Sequence, residues 1–379
     1  MQLRRLQATD YDDLLGLLNP VFTRQNGFRM DFEKQLPKMC VRDDAHMGMH
    51  FGIFEDGKLV SCIGVYPLET VVAGQKLLFS TMGNIATHWD YTGRGYMSKL
   101  IDAAQQELER IGADASRLGG NRQRYGRYGF ESCGQVMQFT FAKNTLTSRF
   151  PSPGEISFVK IEKEDRQALA FCATLYNQNA IAVTREIEDC YPTMTAWEHV
   201  PYLCLSEGKP VGYLCANADG SNLAEIAAVD TRRFTDILCR WQKWKDTAVT
   251  FLLQPHMTEK IRQFSAICDA MQIRSPSHFQ IRNWEGVISA FLKLKATYCT
   301  LPDGELMLEI KDYGTIRIFV NGNAVGCERT DKQPQLTLDR LQAARFLFGP
   351  LSPEYTAKVD NIPAGWFPLP LSWNGQDRV

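Results

Sequence analysis

Hydrophobic and polar positions in the first part of the chain alternate with the periods of strands and helices. The segment Leu3–Leu6 predicts a strand, and apolar residues at helical spacing up to Phe22 predict an amphipathic helix that Asp10 caps. Segments 50–54 and 59–63 predict a hairpin because an Asp-Gly pair lies between them. The pattern then predicts a strand at 77–87, a helix at 98–112 and a strand at 116–118. A short helix around Tyr125 and a final strand at 136–141 follow.

The middle of the chain repeats part of this plan. A strand–turn–strand pattern over 202–213 resembles residues 51–64, and Glu225–Val229 resembles the strand at 77–87. Divergent duplication is one interpretation of this likeness, and an unrelated hairpin is the other. The next residues, Asp230–Phe234, contain no glycine, so under duplication we expect a second copy that kept the fold and lost its ligand loop.

The last part of the chain changes character. Its pattern predicts a helix at 284–295, strands at 305–310 and 316–320, and a helix at 338–349 that ends at a glycine. The tail at 366–373 is apolar and contains two tryptophans, so we expect it to pack on the rest of the protein. The chain therefore predicts α/β and α+β architecture in three domains, which comprise residues 1–148, 149–285 and 286–379.

Composition excludes several classes of protein. The 379 residues carry a formal net charge of −1, whereas non-specific nucleic-acid binding requires a dense basic surface. No apolar segment approaches the ~20 residues that span a bilayer, and no apolar region follows Met1–Arg5. We therefore expect a cytoplasmic protein that binds neither nucleic acid nor membrane.

The cysteines and histidines do not form the pattern of a metal site. The eleven cysteines are scattered singly with no Cys-x-x-Cys pair, and the six histidines are dispersed. His46 and His50 have helical spacing but no third ligand nearby in the sequence. We expect buried, reduced thiols and no metal.

Two motifs carry the candidate chemistry. The segment Tyr91–Met97 contains Gly93 and Gly95 immediately before an amphipathic helix, where unpaired backbone N–H groups and the helix dipole favour a phosphate. The second motif, Arg124–Glu131, contains a tyrosine four residues before a Gly-Phe pair. In this order and at this distance, the two motifs resemble the acyl-CoA loop and the closing segment of the GCN5-related N-acetyltransferases.

The layout of the whole chain resembles the Eis-type acetyltransferases, named for enhanced intracellular survival. The resemblance implies tandem GNAT folds with a mixed, largely antiparallel central sheet, and a C-terminal domain similar to sterol carrier proteins. It also implies a homo-oligomer, either a trimer or a hexamer. One departure is Thr92, where the family usually has arginine or glutamine, so a charged partner for the pyrophosphate is missing from the loop.

The resemblance also implies the site residues. Acetyl-CoA would be the co-substrate, bound by Ile85, Ala86, Thr87, Gly93, Arg94, Gly95, Tyr96, Met97, Ser98, Gly120 and Asn121. Tyr125 would be the general acid, and Tyr128 would pack. The base would be the C-terminal carboxylate of Val379. Apart from the resemblance, His88 is an alternative base because it adjoins the phosphate loop. Phe22, Asn26 and Asp377 would contact the acceptor.

We therefore predict an N-acetyltransferase that transfers an acetyl group to a primary amine by direct attack. The amine would belong to an aminoglycoside, a polyamine, a peptide or a protein lysine, and an acidic mouth would suit such cations. The alternative is a non-catalytic protein that binds or senses acyl-CoA or an apolar ligand. A further option is a longer acyl donor, because Met82 and Met97 could shape an adaptable pocket.

Overall fold

The structure is a computed structural model that describes residues 1–358 and 362–377. Its strands, in chain order, are β1 (Gln2–Arg5), β2 (His50–Glu55), β3 (Lys58–Val72), β4 (Gln75–Thr87), β5 (Ala115–Leu118), β6 (Glu131–Cys133), β7 (Val136–Phe141), β8 (Ser157–Lys160), β9 (Ile181–Val183), β10 (Val200–Ser206), β11 (Lys209–Ala216), β12 (Asn222–Ala228), β13 (Val249–Leu253), β14 (Ala270–Arg274), β15 (Ser277–Ile281), β16 (Gly304–Ile310), β17 (Gly314–Asn321), β18 (Ala324–Arg329) and β19 (Leu336–Leu338).

The α-helices are α1 (Tyr11–Asn26), α2 (Phe32–Gln35), α3 (Asp44–Met47), α4 (Tyr96–Arg110), α5 (Arg122–Gly126), α6 (Thr145–Arg149), α7 (Arg166–Asn177), α8 (Ile187–Met194), α9 (Thr231–Lys245), α10 (Thr258–Ser265), α11 (Trp284–Ala296) and α12 (Arg340–Phe348). Short 3₁₀ helices cover Ala8–Asp10, Trp89–Tyr91, Ala196–Glu198, Pro353–Tyr355 and Gly375–Asp377.

The first sheet has the strand order β1-β2-β3-β4-β5-β15-β6, and β9 also pairs with β3. Its pairs are antiparallel except for β4 and β5, which run parallel from Phe79 and Ala115 to Met82 and Leu118. The predicted β2–β3 hairpin is confirmed. Its two-residue turn, Asp56–Gly57, has φ values of 47° and 78°, as the turn type with two positive φ angles requires.

The second sheet has the order β14-β7-β13-β12-β11-β10-β8. It contains the predicted hairpin of the middle region as β10 and β11, followed by β12. As in the first sheet, one pair in the middle is parallel: β12 and β13 meet at Asn222 with Thr250 and at Leu223 with Phe251. In each sheet a long helix connects the two strands of the parallel pair: α4 joins β4 to β5, and α9 joins β12 to β13.

The two sheets exchange a strand. The sequence makes β7 the final strand of the first unit, but the structure places it between β13 and β14 in the second sheet. In return, β15 lies between β5 and β6 in the first sheet. The aromatic residues of β7 explain its position, because the Phe139 ring lies 5.9 Å from Phe251 and the Phe141 ring 5.8 Å from Phe264. The predicted domain bounds stay predictions, and strands pair across them.

The third sheet has the order β18-β17-β16-β19 and packs against α11 and α12. Its hydrophobic core is continuous with that of the first sheet, since Phe79 of β4 and Phe279 of β15 belong to the same cluster as the buried residues of α11, α12 and the third sheet. We call the third sheet with these two helices the third unit. The tail packs into this core through Trp366 and Trp373, which confirms that it is docked. The likeness of the third unit to sterol carrier proteins stays a prediction.

The predicted fold class is confirmed: the protein is mixed α/β and α+β, with largely antiparallel sheets. The predicted role of Asp10 is wrong in one respect. Helix α1 begins directly after Asp10, but its carboxylate makes no capping bond to the helix. It is held instead by the Arg4 guanidinium at 2.7 and 2.8 Å and by the Gln7 N–H at 2.8 Å. The Asp10 carboxylate therefore forms an ion pair with Arg4 of β1 instead of capping α1.

The eleven cysteines are free, and most of them are buried, as expected of core thiols. In the part of the chain that the structure describes, no helix is both long enough and apolar enough to cross a membrane.

The strand exchange makes a prediction about stability. Replacing Phe139 of β7 by alanine should cost about 3–5 kcal/mol, because it removes a fully buried ring. The loss of amide-exchange protection should fall on the second sheet, from β10 to β13. The matched control is Phe130→Ala, an equally buried ring in the core beneath α4, which should deprotect the first sheet. Loss of first-sheet protection in Phe139→Ala would contradict the observed pairing.

Candidate active site

A cavity of about 450 Å³ lies between the end of β4, the loop that follows it and the start of α4. Most of the predicted acyl-CoA residues line it, namely Ile85, Ala86, Thr87, Gly93, Gly95, Tyr96, Met97 and Ser98. Its remaining lining consists of Val21, Gln25, Tyr91, Thr92, Arg124 and Arg127. The cavity thus brings together the glycine loop and the end of the strand before it.

The start of α4 is open. Its N-cap is Gly95, in the left-handed conformation at φ 77°, and no side chain caps the helix. Gly93 is also left-handed, at φ 79°, and a Cβ at either position would meet nothing within 4 Å. Glycine is therefore used here for its backbone angle. The first amides of α4 face outward with the positive end of the helix dipole, which is an arrangement that binds anions.

The corresponding helix of the second sheet, α9, is capped by the side chain of its N-cap residue. Asp230 is the N-cap of α9, and its Oδ1 accepts a hydrogen bond of 2.7 Å from the Arg233 N–H. A carboxylate therefore occupies the position that stays open at α4. This supports the prediction that the second copy lacks a phosphate loop.

Three predicted cofactor residues do not line the cavity. The Arg94 guanidinium turns away, donating to Glu55 Oε2 at 3.0 Å and to the Asp90 carbonyl at 3.3 Å. Gly120 borders a separate cavity. Asn121 caps α5, its Oδ1 accepting from the Arg124 N–H at 3.1 Å.

Two arginines that the sequence analysis did not select lie in the cavity. Arg124 and Arg127 extend from α5 and from the turn after it, and both side chains are exposed. They supply the positive charge that is missing at Thr92, whose hydroxyl donates to the Trp89 carbonyl at 2.9 Å. The signal was present in the second motif, where both arginines flank Tyr125, but only the fold shows that they face the glycine loop.

A β-bulge adjoins the cavity. The β3–β4 register shifts between Cys62 and Gly64, so that Asn84 and Ile85 oppose a single residue, and Asn84 has φ 54°. The Asn84 amide donates to the Tyr66 hydroxyl at 2.7 Å, which in turn lies 2.8 Å from Nε2 of His50. Since a bulge leaves one residue outside the strand ladder, it presents backbone polar groups beside the cavity.

The side chains hydrogen-bonded to Asn84 at this bulge, Tyr66 and His50, are buried. His50 donates from Nδ1 to the His46 carbonyl at 3.2 Å, so its Nε2 accepts from Tyr66. Burial lowers the pKa of His50 to about 4 and keeps the ring neutral. Gly64 makes room for the tyrosine, because a Cβ there would lie 2.1 Å from the Tyr66 hydroxyl.

Tyr125 lies on α5 and is buried in the core beneath α4. A Cβ on Gly120 would lie 3.0 Å from its ring, so glycine allows the end of β5 to approach the tyrosine. Burial raises the pKa of Tyr125 although Arg124 lowers it, and the phenol therefore keeps its proton at neutral pH. Tyr128 is distinct: its hydroxyl lies 3.0 Å from Ser98 Oγ.

The predicted acceptor residues are dispersed. Phe22 packs against Phe32 with ring centroids 5.0 Å apart, and Asn26 is exposed, donating to the Met30 sulfur at 3.3 Å. Asp377 is buried and paired with Arg185 at 2.7 Å. Val379 lies outside the described residues. The roles assigned to these residues stay predictions.

Two further cavities lie near these elements. One, of about 490 Å³, is bordered by Gly119 and Gly120 at the end of β5, and by Arg117 and Trp197. The other, of about 590 Å³, lies between the segments 37–49 and 183–193. Its lining includes four exposed acidic residues, Glu69, Glu186, Glu188 and Asp189, and the half-buried Lys38. Burial lowers the pKa of Lys38 to about 7.

The remaining features are the surroundings of His88, the alternative base, and the side chains that could bind a metal. The His88 ring stacks on Trp89 with centroids 3.9 Å apart, and its Nδ1 lies 3.6 Å from Asp90. Within the described residues, no group of three or more His, Cys, Asp or Glu side chains is arranged to hold a metal ion.

Residues 2–133 match the family model of the acetyltransferase (GNAT) domain. The chain therefore contains a GNAT acetyltransferase domain that includes the glycine loop, Tyr125 and most of the first sheet. No curated protein sequence matches the chain.

Solved structures resemble the chain over nearly its whole length. A GCN5-related N-acetyltransferase from Anabaena variabilis has a TM-score of 0.67 at 16% identity, covering 98% of each chain. One from Kribbella flavida has a TM-score of 0.63 at 16% identity, covering 91% of this chain and 89% of that one. Eis1 from Mycobacterium abscessus has a TM-score of 0.63 at 14% identity, covering 93% of this chain and 90% of that one. At such identities the likeness shows the fold alone.

The open helix start makes a prediction. Gly95→Asp would place a carboxylate at the start of α4, where it repels the CoA phosphates, and should weaken CoA binding by at least about 10-fold, or ~1.4 kcal/mol. Isothermal titration with CoA measures the change. The control is Gly112→Asp, which imposes a left-handed φ of 67° at the other end of the same helix. Equal affinities of the two variants would show that the start of α4 does not bind the phosphates.

Proposed function

We propose that the protein is an acetyl-CoA-dependent N-acetyltransferase that acts on a primary amine. The observation that carries this proposal is the open N-terminus of α4, which lies in one cavity with the end of β4 and with two arginines. The same region holds the bulge at Asn84 and lies beside the buried Tyr125. An anion site, a polar backbone and a protonated phenol are the parts that acyl transfer from CoA requires.

In the proposed complex the CoA pyrophosphate contacts the backbone amides at the start of α4. Arg124 and Arg127 supply the countercharge from the opposite wall. The pantetheine arm enters the gap between β4 and β5, since these strands pair only as far as Met82 and Leu118 and leave backbone groups open beyond that point. The thioester then lies near the bulge.

The reaction begins with a neutral amine whose lone pair attacks the thioester carbon. A C–N bond forms, the C–S bond breaks, and the carbonyl oxygen carries negative charge in between. Backbone N–H groups at the bulge stabilise this charge. The departing thiolate takes a proton from the Tyr125 hydroxyl, which burial keeps protonated. The proton released from the amine passes to a base, for which the Val379 carboxylate is our candidate.

The acceptor is proposed to be a cationic amine. The cavity at Gly119 and Gly120 borders the end of β5 next to Tyr125 and gives the acceptor a route to the thioester. The acidic cavity, with Glu69, Glu186 and Asp189 on its lining, also contains Tyr66, which contacts Asn84 at the bulge, and it favours a substrate with further positive charges. A polyamine, an aminoglycoside or a lysine peptide has this chemistry. We further propose a homo-oligomer, as the Eis-type resemblance implies.

Tyr125→Phe tests the enzyme and its acid together. Thiol release from acetyl-CoA should occur with at least one amine in a panel of polyamines, aminoglycosides and lysine peptides, and kcat should fall about 100-fold or more in the variant. CoA affinity should stay within about 2-fold, because the ring remains. The control, Tyr128→Phe, should keep its kcat. Release in neither protein, or equal loss of kcat and CoA affinity, would refute the assignment.

Removing only Arg378 and Val379 tests the proposed base. A longer deletion would also remove Gln376 and Asp377, which make buried contacts with the protein. Without the terminal carboxylate at its proposed place, kcat should fall about 100-fold at pH 7 and recover partly at high pH, where more of the amine is neutral. Val379→Ala, which keeps the main-chain carboxylate, should retain most activity. Unchanged turnover after the deletion would rule the base out.

A further inference from the structure

The second sheet has an opening where the first sheet has its cofactor cavity. Strands β12 and β13 pair in parallel at Leu223 with Phe251 and then separate, as β4 and β5 do. Residues 224–227 of β12 and residues 252–254 at the end of β13 line the space between the two strands. We call this space the second-unit cleft.

The tail of the chain fills the second-unit cleft. Trp373, Asn374 and Gly375 lie in it and leave a cavity of only about 50 Å³, compared with about 450 Å³ in the first unit. The approach is close at Gly375, where a Cβ would lie 3.4 Å from the Ala224 carbonyl oxygen. The cleft thus holds a peptide segment of this chain, which we call the tail segment, residues 373–377.

A buried charge cluster anchors the end of the tail segment. Arg185 donates to Asp377 Oδ1 at 2.7 Å and to both oxygens of Glu225 at 2.7 and 2.8 Å. The Tyr176 hydroxyl donates to the other oxygen of Asp377, and the Tyr213 hydroxyl donates to Glu225 at 2.7 Å. Arg185, Asp377 and Glu225 are each at most 5% exposed. Two carboxylates, one guanidinium and two phenols therefore satisfy one another without solvent.

The tail segment also contacts the first unit and helix α8 of the second unit. Lys38 donates to the Gln376 carbonyl, and the Gln376 side chain donates to the Met194 carbonyl at 2.9 Å. Trp373 stacks on Phe79 of β4 with ring centroids 5.5 Å apart, and the Arg117 guanidinium of β5 lies 5.4 Å from the same ring. The segment therefore touches both strands whose separation forms the acyl-CoA site, while Asp377 lines the acidic cavity.

We propose that the second-unit cleft is a receptor for the tail segment, and that Arg185 and Glu225 are positioning residues that hold it against the acyl-transfer site. The positioning role rests on the function proposed above, whereas the receptor role does not. By this account the second unit exchanged a diffusible ligand for a peptide of the same chain. Its cluster then fixes one wall of the acceptor side through Asp377 and Lys38.

The first test uses the full chain with Asp377→Asn. The buried guanidinium loses one of its two charged partners, so we expect amide exchange at 373–377 to accelerate about 10-fold or more. Because the acceptor wall is displaced, kcat should fall about 10-fold with CoA affinity unchanged. The matched control is Asp339→Asn, the carboxylate cap of α12, which should alter neither. A variant with slow exchange at the tail segment would overturn the proposal.

The second test separates the receptor from the enzyme. A chain that ends at Ser372 is titrated with the peptide Trp-Asn-Gly-Gln-Asp-Arg-Val, and binding is measured by calorimetry. We expect saturable binding that is weakened about 10-fold when the peptide carries asparagine for aspartate. Binding should also restore thiol release. No binding to a truncated chain that still binds CoA would overturn the receptor. Binding without restored turnover, in a protein whose full chain is active, would overturn the positioning role.

Discussion

The proposed function depends on the helix start of α4, which no side chain caps. Every α-helix begins with backbone N–H groups that need partners, and most sequences supply one from a capping side chain. At α4 the cap is Gly95, which has no side chain to offer, and the amides face a cavity with two arginines on its wall. At α9 Asp230 satisfies the same need. The N-cap residue, glycine at α4 and aspartate at α9, thus decides whether a carboxylate already occupies the helix start.

The site is kept in shape by the way the units share strands and core. Strand β15 enters the first sheet between β5 and β6, so β5, which ends at Leu118, has partners on both sides. The core behind β4 continues into the third unit through Phe79 and Trp373. The segment that matches the GNAT model, residues 2–133, is therefore paired and packed with residues from the rest of the chain.

Local signals in the sequence predicted local structure well. The Asp-Gly turn of the first hairpin and the glycine loop before α4 depend on backbone angles that few residues adopt, so the residue types alone identify them. The partner of β7 could not be found in this way. Its alternation shows which residues share a face, but it does not show which sheet that face joins. The packing of Phe139 and Phe141 in the core of the second sheet determines which sheet β7 joins.

The contacts that sequence reasoning missed join residues that the fold brings together. Arg124 and Arg127 oppose the glycine loop only after α5 has folded beside α4. Asp10 appeared to be a cap because caps are local, yet Arg4 on the neighbouring strand takes its carboxylate. Asp377 was selected as a substrate contact near the end of the chain, and the structure shows its buried partners, Arg185 and Tyr176. Such pairings require the fold.

The most direct test of the central claim is a crystal structure of the protein with acetyl-CoA. We predict one molecule per chain, with the pyrophosphate within hydrogen-bonding distance of the amides at the start of α4 and of Arg124 or Arg127, and with the thioester beside the bulge at Asn84. The second-unit cleft should still contain Trp373 to Gly375. Pyrophosphate bound elsewhere, or acetyl-CoA in the second-unit cleft with the tail displaced, would contradict the account.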